Sequence, residues 1–275
     1  MKVNNCKICY LVLLCLIGWI SCSKNEEIEN VFSYEDGTGG LELSTSVAEK
    51  QTVSVITRAA DFSGIVAKNF YVAIKNQETG EVVNEFSSFS AMEDAGFPLL
   101  LPIGKYSVIA SSFNLQNTEV SEMPYFVDEQ DFLIEEKMTT GVFLKCVYKS
   151  IGVELALSER FAALINAQPH NYGYEVEVDC AGILHTFTQE KMRPVYFMKA
   201  CEELVVKVRV RLGSSDAWYP TRVYRVKNGD KSPELNEYYI INLDVEKEQN
   251  DNNDAGEEEV PETFSLKCRS MRVEY

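Results

Sequence analysis

Histidine is nearly missing from this chain, and cysteine is missing where metal or redox chemistry would need it. The 275 residues hold two histidines, His170 and His185, too few for a standard zinc site. The single Cys-x-x-Cys, Cys6 to Cys9, lies inside an apolar N-terminal segment, and no second one follows. No glycine-rich phosphate loop, nucleophile elbow or carboxylate pair at a defined catalytic spacing is present. Neither histidine sits in an acid–nucleophile pattern, so both read as surface or strand residues. Asp251-Asn-Asn-Asp254 has the opening of a calcium loop, but Ala255 stands where the fifth ligand belongs. The expectation is no catalytic residue, no metal and no cofactor, hence no enzyme.

Basic residues are also scarce. Lys and Arg number 26 against 42 Asp and Glu, a net charge of −16. Nucleic-acid binding rests on neutralising phosphates, so that partner class is excluded. Lying flat on an anionic membrane is disfavoured for the same reason. Such a charge favours solubility and repulsion from like surfaces.

What is present begins with an address. Lys2 and Lys7 precede an apolar core from Ile8 to Ile20, too short to cross a bilayer comfortably and closed by Ser21 before Cys22. Residues 1–21 read as a secretory signal ending in a lipobox-like Trp19-Ile20-Ser21-Cys22, with Cys22 acylated as the mature N-terminus. A plain signal peptide cut nearby is the alternative. Without residues 1–21 the chain keeps 24 basic and 42 acidic residues, a net of −18. Residues 22–37 are mostly polar and acidic, a solvated tether. The tether is similar to the lysine-plus-acidic signals of Bacteroidetes lipoproteins exported to the outer face of the outer membrane, although Asn25 interrupts the pattern. The expected location is therefore the outer membrane, lipid-anchored and facing the cell surface.

The organising stretch is Leu99–Phe113. Pro102 removes a ladder donor and Gly104 can take positive φ, so Pro-Ile-Gly-Lys predicts a tight turn. Tyr106, Val108 and Ala110 then share one face, with Ser107 and Ser111 on the other. The pattern predicts a β-hairpin corner. Around it, strands are predicted at Leu41–Val47, Gln51–Thr57, Phe70–Lys75, Glu81–Phe86, Tyr125–Val127, Asp131–Glu135 and Thr140–Tyr148. Asn76–Gly80 joins two of them as a hairpin loop.

Ile151–Leu157 opens a second series of strands. Ser158 reads as the cap of one short helix, with Phe161, Leu164 and Ile165 at helical spacing. Tyr174, Val176 and Val178 alternate with Glu175, Glu177 and Asp179, while Leu204, Val206, Val208 and Val210 alternate with Lys207, Arg209 and Arg211. As neighbours, these two strands would set outward acids against outward bases and so fix their register. Further strands are predicted at Thr221–Lys227 and Tyr238–Val245. The fold expectation is all-β, two consecutive antiparallel β-sandwich domains of Ig-like or transthyretin-like kind with one short helix. Their bounds are 38–149 and 150–246, followed by an acidic linker and tail strand over 247–275.

Cys146 alternates with Val142 and Leu144 and reads as a small buried residue. A Cys180–Cys201 disulfide is allowed in an exported protein, but spacing alone does not establish it. Trp218 and Tyr219 are the candidate ligand-binding residues, an exposed aromatic pair for stacking on a sugar ring, or else a plug at the end of the sandwich. In the tail, Phe264, Leu266 and Cys268 alternate with Ser265, Lys267 and Arg269, a strand pattern that needs a partner. That partner is its own sandwich, a neighbour's groove or a third domain, or there is none and the tail frays.

The lipobox, Ser54-Val-Ile-Thr-Arg-Ala59, Ile74–Val83, Leu101–Tyr106 and Tyr238–Val245, in this order, resemble a Bacteroidales surface-lipoprotein family catalogued as domain of unknown function 4493. The resemblance spans about residues 38–246. It implies surface-exposed β-sandwich lipoproteins distantly similar to fimbrillins and their anchor subunits, and it brings no catalytic residues. Fimbrillins are cut after an arginine near their first strands, and Thr57-Arg58-Ala59 resembles such a processing site; the alternative is an uncut loop arginine. The functional expectation is a non-enzymatic binding, adhesion or scaffold module at the cell surface, with a glycan or surface protein as partner. The second expectation is a fimbrial subunit or anchor assembling by strand exchange.

Overall fold

Alternation of apolar and polar residues places most of the strands where periodicity predicts them, and tertiary pairing then decides which sheets they join. The computed structural model describes residues 33–48, 62, 64–166, 173–211, 217–227, 229–246 and 263–272. Within them lie sixteen strands. The first eight are β1 (Thr38–Val47), β2 (Tyr71–Asn76), β3 (Val82–Phe86), β4 (Leu99–Pro102), β5 (Gly104–Ser111), β6 (Val120–Ser121), β7 (Phe126–Ile134) and β8 (Thr139–Tyr148). The remainder are β9 (Ile151–Leu157), β10 (Gly173–Cys180), β11 (Ile183–Phe187), β12 (Val195–Phe197), β13 (Leu204–Arg211), β14 (Arg222–Val226), β15 (Glu237–Glu246) and β16 (Thr263–Arg272). Two α-helices, α1 (Phe89–Ala95) and α2 (Glu159–Asn166), and a 3-10 turn at Ala67–Asn69 complete the described elements. The predicted run Gln51–Thr57 lies outside the described residues.

The first seven-stranded array runs β3-β2-β5-β7-β8-β1-β4. It doubles back at the β7–β8 seam, where only Phe126↔Tyr148 and Val127↔Val147 pair. Beyond that point side chains take over the ladder. The Lys145 N–H donates to Asp128 at 2.8 Å, and Gln130 Nε2 donates to the Phe143 carbonyl at 2.7 Å. The two layers enclose a core of Leu41, Leu43, Leu144 and Cys146 against Val72, Ile74, Tyr106 and Val108. Cys146 is fully buried, as its alternation predicts, and its thiol is pushed up to about 12 by desolvation.

The predicted hairpin at the organising corner is corrected. β4 pairs with β1 (Leu41↔Leu99), whereas β5 pairs with β2 and β7, so the chain crosses from one layer to the other at Ile103. Gly104 does take the positive φ that the sequence predicts, 157°, but β4 and β5 do not pair with each other, so no hairpin is closed there. The crossing is held by the Tyr106 hydroxyl, which donates to the Pro102 carbonyl at 2.9 Å. This bond is the means by which a buried tyrosine fixes a sandwich corner.

The second half stacks a four-stranded sheet, β11-β10-β13-β14, on a five-stranded one, β16-β15-β9-β12-β6. Their inner faces meet through Val176, Val206 and Val208 on one side and Val153, Ile241 and Leu243 on the other. The acid–base register between β10 and β13 is found as predicted, with Glu175↔Arg209 and Glu177↔Lys207 directly opposed. Lys207 donates to Glu177 at 2.7 Å, and the Arg209 Nε–H donates to Glu175 at 2.7 Å. Two pairings run parallel, β1 with β8 and β9 with β15, in an otherwise antiparallel fold. Parallel partners need a long crossover, and no local pattern announces one.

Helix α2 begins where its cap predicts. The Ser158 hydroxyl accepts from the Phe161 N–H at 3.0 Å and itself donates to Asp244, and that hydrogen bond is the first cause lowering the Asp244 pKa. Helix α1, in contrast, has no counterpart in the sequence-based reading. Its Ser88 cap accepts from the Ala91 N–H, but only Phe89 and Met92 of its seven residues are buried, too few to mark a helical period.

The halves of the unit Asp36–Tyr275 share material. β6, from the first half, adds an edge to the second half's sheet through Ser121↔Tyr196 and Val120↔Phe197. In return Tyr196 and Tyr238, on β12 and β15, belong to the first core. Gly152 on β9 lies between them in register, opposite Tyr238 on one side and Tyr196 on the other.

The tail strand completes its own sheet. β16 pairs antiparallel with β15 over ten positions, from Glu246↔Thr263 to Glu237↔Arg272. A ladder of that length, at about 0.5–1.5 kcal/mol net per hydrogen bond, ties the tail to the fold. Deleting residues 260–275 is expected to lower the melting temperature by several degrees at every protein concentration, with molecular size unchanged. Light scattering alongside a thermal melt checks this, and an unchanged melt would show that β16 bears no load.

Candidate functional site

The outer face of the β11-β10-β13-β14 sheet is where the sequence-predicted aromatic pair is found, and the structure separates its members. The Tyr219 N–H donates to the Val210 carbonyl at 2.9 Å, which ties residues 217–220 to the end of β13. Side chains of consecutive residues on an extended segment point opposite ways. Tyr219 accordingly turns inward and packs against the second core, so the plug reading holds for it. Trp218 turns outward and is half-buried.

Arg209 and Arg211 lie on the same outward row of β13, two residues apart. Their guanidinium carbons stand 4.9 and 5.1 Å from the Trp218 ring centroid. Both separations fall within cation–π range. Gly173 opposes Arg211 in register, and a Cβ there would stand 3.7 Å from the rim of the Trp218 ring. The indole therefore reaches across to β10, where Gly173 presents only backbone. Glu175 orients Arg209 through its carboxylate. The result is a positioned aromatic ring beside two cations and a carboxylate. Such a set offers C–H stacking to an apolar ring face and charged hydrogen bonds to hydroxyls. Sequence reasoning missed Arg209 and Arg211 as its companions. The signal was the outward base row of β13, but nothing local says that residue 218 folds back over it.

A cavity of about 790 Å³ opens at one end of the second sandwich. The β10–β11 turn contributes Ala181 and Gly182, the β12–β13 loop Cys201 and Glu203, and the β14–β15 loop Pro233 and Leu235. Arg225 and Lys227 both reach Glu203 on its rim. Tyr239 donates to buried Glu237 at 2.6 Å, and Glu237 also accepts from the Glu234 N–H, which fixes the third loop. His185 stands apart, edge-on to Phe187 at 4.7 Å, and burial lowers its pKa. Among the described residues no group of three or more His, Cys, Asp or Glu side chains is disposed to hold a metal ion. Cys22, Arg58, His170 and Asp251–Asp254 lie outside the described residues.

Strands in stacked sheets around two apolar cores make this an all-β protein of the β-sandwich class. The chain belongs to the family catalogued as domain of unknown function 4493, whose model matches residues 37–258. No curated protein matches it. Among solved structures it is similar to a candidate cell adhesion protein of Bacteroides eggerthii, 10% identical with a TM-score of 0.43, over 88% of this chain and 98% of that one. A candidate cell adhesion protein of Bacteroides fragilis is 8% identical with a TM-score of 0.41, over 84% and 97% of the two chains. A candidate polysaccharide-binding protein of Bacteroides thetaiotaomicron is 9% identical with a TM-score of 0.35, over 64% and 83%.

Proposed function

We propose that this protein is a non-enzymatic binding module of the cell surface, anchored in the outer membrane through a lipid on Cys22, with Trp218 as the stacking platform for a saccharide. The observation that carries the reading is the half-buried Trp218 ring, set on Arg209 and Arg211 and oriented outward on a polar sheet face. A ring held in this way loses little freedom on binding, which is what makes rigid aromatics effective contact groups.

A glycan array with the full chain tests the site. Trp218→Ala is expected to weaken saccharide binding about tenfold, the size of an aromatic contact, while Tyr219→Phe keeps both binding and fold. Equal binding by wild type and Trp218→Ala overturns the assignment of the site. Anchoring is tested separately. Cys22→Ser is expected to move the protein from the membrane fraction to the soluble one, because acyl chains supply the affinity at about 0.8 kcal/mol per buried methylene. Unchanged partitioning rules the anchor out.

The second reading, a fimbrial subunit or anchor that assembles by strand exchange, is supported by β16, a whole strand joined to its sheet through residues 247–262. Processing after Arg58 belongs to that reading. Loss of an oligomer, rather than of melting temperature, on deleting residues 260–275 would favour it.

A further inference from the structure

Three buried cysteines lie among the described residues, and all are thiols in the structure. Their surroundings differ. Cys146 sits in the first core, where its sulfur donates to the Ala110 carbonyl at 3.5 Å. Cys180 and Cys201 share the second core. Cys180 ends β10 and is opposite Leu204, the first residue of β13. Cys201 lies three residues upstream of Leu204, in the loop that feeds β13. The Cys180 sulfur donates to the Lys199 carbonyl at 3.4 Å, so it reaches into that loop. Cys201 follows Lys199 by two residues in that loop, which brings the two thiols to the same part of the core.

We propose that Cys180 and Cys201 are a disulfide-forming pair that staples the end of β10 to the β12–β13 loop on the wall of the cavity. Cys201 is the entry sulfur, because it lines the cavity whereas Cys180 is fully enclosed. The interaction between the two thiols, with burial adding to it, raises the Cys180 pKa, and the same interaction lowers that of Cys201. The thiolate is the nucleophile in exchange, and the thiol that opens on the cavity is the first to meet the reagent. The Cys201 thiolate attacks one sulfur of an external disulfide, the S–S bond of that reagent breaks, and one thiolate leaves. The departing thiolate takes up the Cys180 proton. The Cys180 thiolate then attacks the Cys201 sulfur of the mixed disulfide and expels the second thiolate, which takes up the proton that Cys201 had released. Two protein thiols are oxidised and one external disulfide is reduced to two thiols, so atoms and electrons balance. The bridge closes a loop of about 20 residues that contains β11 and β12, and closure of such a loop restricts the unfolded chain.

The experiment equilibrates the full chain with oxidised glutathione under native conditions, blocks free thiols and maps tryptic peptides without reduction. The expected product is peptide 161–191 linked to peptide 200–207, lighter by two hydrogens than their sum. The Cys146 peptide is expected to be blocked as a free thiol. Oxidised protein is expected to melt several degrees above reduced protein. Cys180→Ser is expected to stop the reaction halfway, leaving a glutathione adduct on Cys201. Because the mapping is done on wild type, a poorly folding variant does not decide the outcome. Full blocking of both Cys180 and Cys201 after oxidation overturns the proposal, as does linkage of either one to a different cysteine.

Discussion

Gly152→Val is expected to lower the melting temperature by roughly 6–12 °C, from a loss of about 3 kcal/mol in a chain of this size. Gly152 stands where the second half's sheet rests on the first half's core. A Cβ there would fall 2.3 Å from Tyr238 Cδ2, 2.7 Å from the Tyr148 hydroxyl oxygen and 2.8 Å from Tyr238 Cε2. None of these rings has free space to move into. Tyr238 is 1% exposed and its hydroxyl donates to Glu154 at 2.9 Å. Tyr148 lies 6.3 Å from Tyr196 and 5.1 Å from Phe62, centroid to centroid. The added methyls must displace an aromatic ring or part the strands, and close-packed interiors absorb neither cheaply. Gly141→Ala is the matched control. Gly141 is also a strand glycine, but a Cβ there meets nothing within 4 Å, so alanine is expected to be neutral or slightly stabilising. Calorimetry on the pair checks the contrast, and equal melting of Gly152→Val and wild type would show that the aromatic contact is not packed as described. Because these rings join the two cores, the Gly152→Val melt is also expected to broaden or split.

Tyr106→Ala carries the second large effect, an expected loss of about 3–5 kcal/mol. The Tyr106 ring is 1% exposed and stacks on Phe132 with centroids 5.7 Å apart. Truncation removes that burial and also the bond from its hydroxyl to Pro102, at a point where the chain changes layer. Tyr106→Phe separates the two contributions. It keeps the ring and deletes the bond, so about 1 kcal/mol is expected. Chemical denaturation of both variants checks this. If the phenylalanine variant loses as much as alanine, the hydrogen bond rather than the ring holds the corner.

These two residues show how unevenly the fold could be read in advance. Tyr106 was legible as core because it alternates with Val108 and Ala110, and its burial follows from that pattern. The partner of its strand was not, since a turn signal looks the same whether the chain folds back beside itself or crosses to the opposite layer. Gly152 carried no signal at all. Its role exists only because Tyr238 and Tyr196, 86 and 44 positions away along the chain, lie opposite it in register. β11 was missed because only Phe187 of its five residues is buried and no alternation results, and β12 because its three residues are all buried and too few to show one.

The candidate site divides along the same line. Trp218 stood out as an aromatic in a polar loop, and Arg209 and Arg211 as outward bases on a strand, but their meeting was not written in either stretch. Cys180 and Cys201 likewise had a permissible spacing and nothing more until β10 and β13 were aligned.

By itself the sequence determined which face of the longer strands is apolar, the acid–base register of β10 with β13, the Ser158 cap and the existence of the tail strand. Each of these depends on neighbours within a few residues, because side chains alternate in direction whatever the strand pairs with. Only the tertiary structure decided the layer crossing at Ile103, the parallel pairs β1–β8 and β9–β15, the aromatic contact at Gly152 and the placing of Trp218 on its arginines. Those depend on which distant segments share a core, and that choice is made by the summed burial of the whole chain rather than by any one stretch of it.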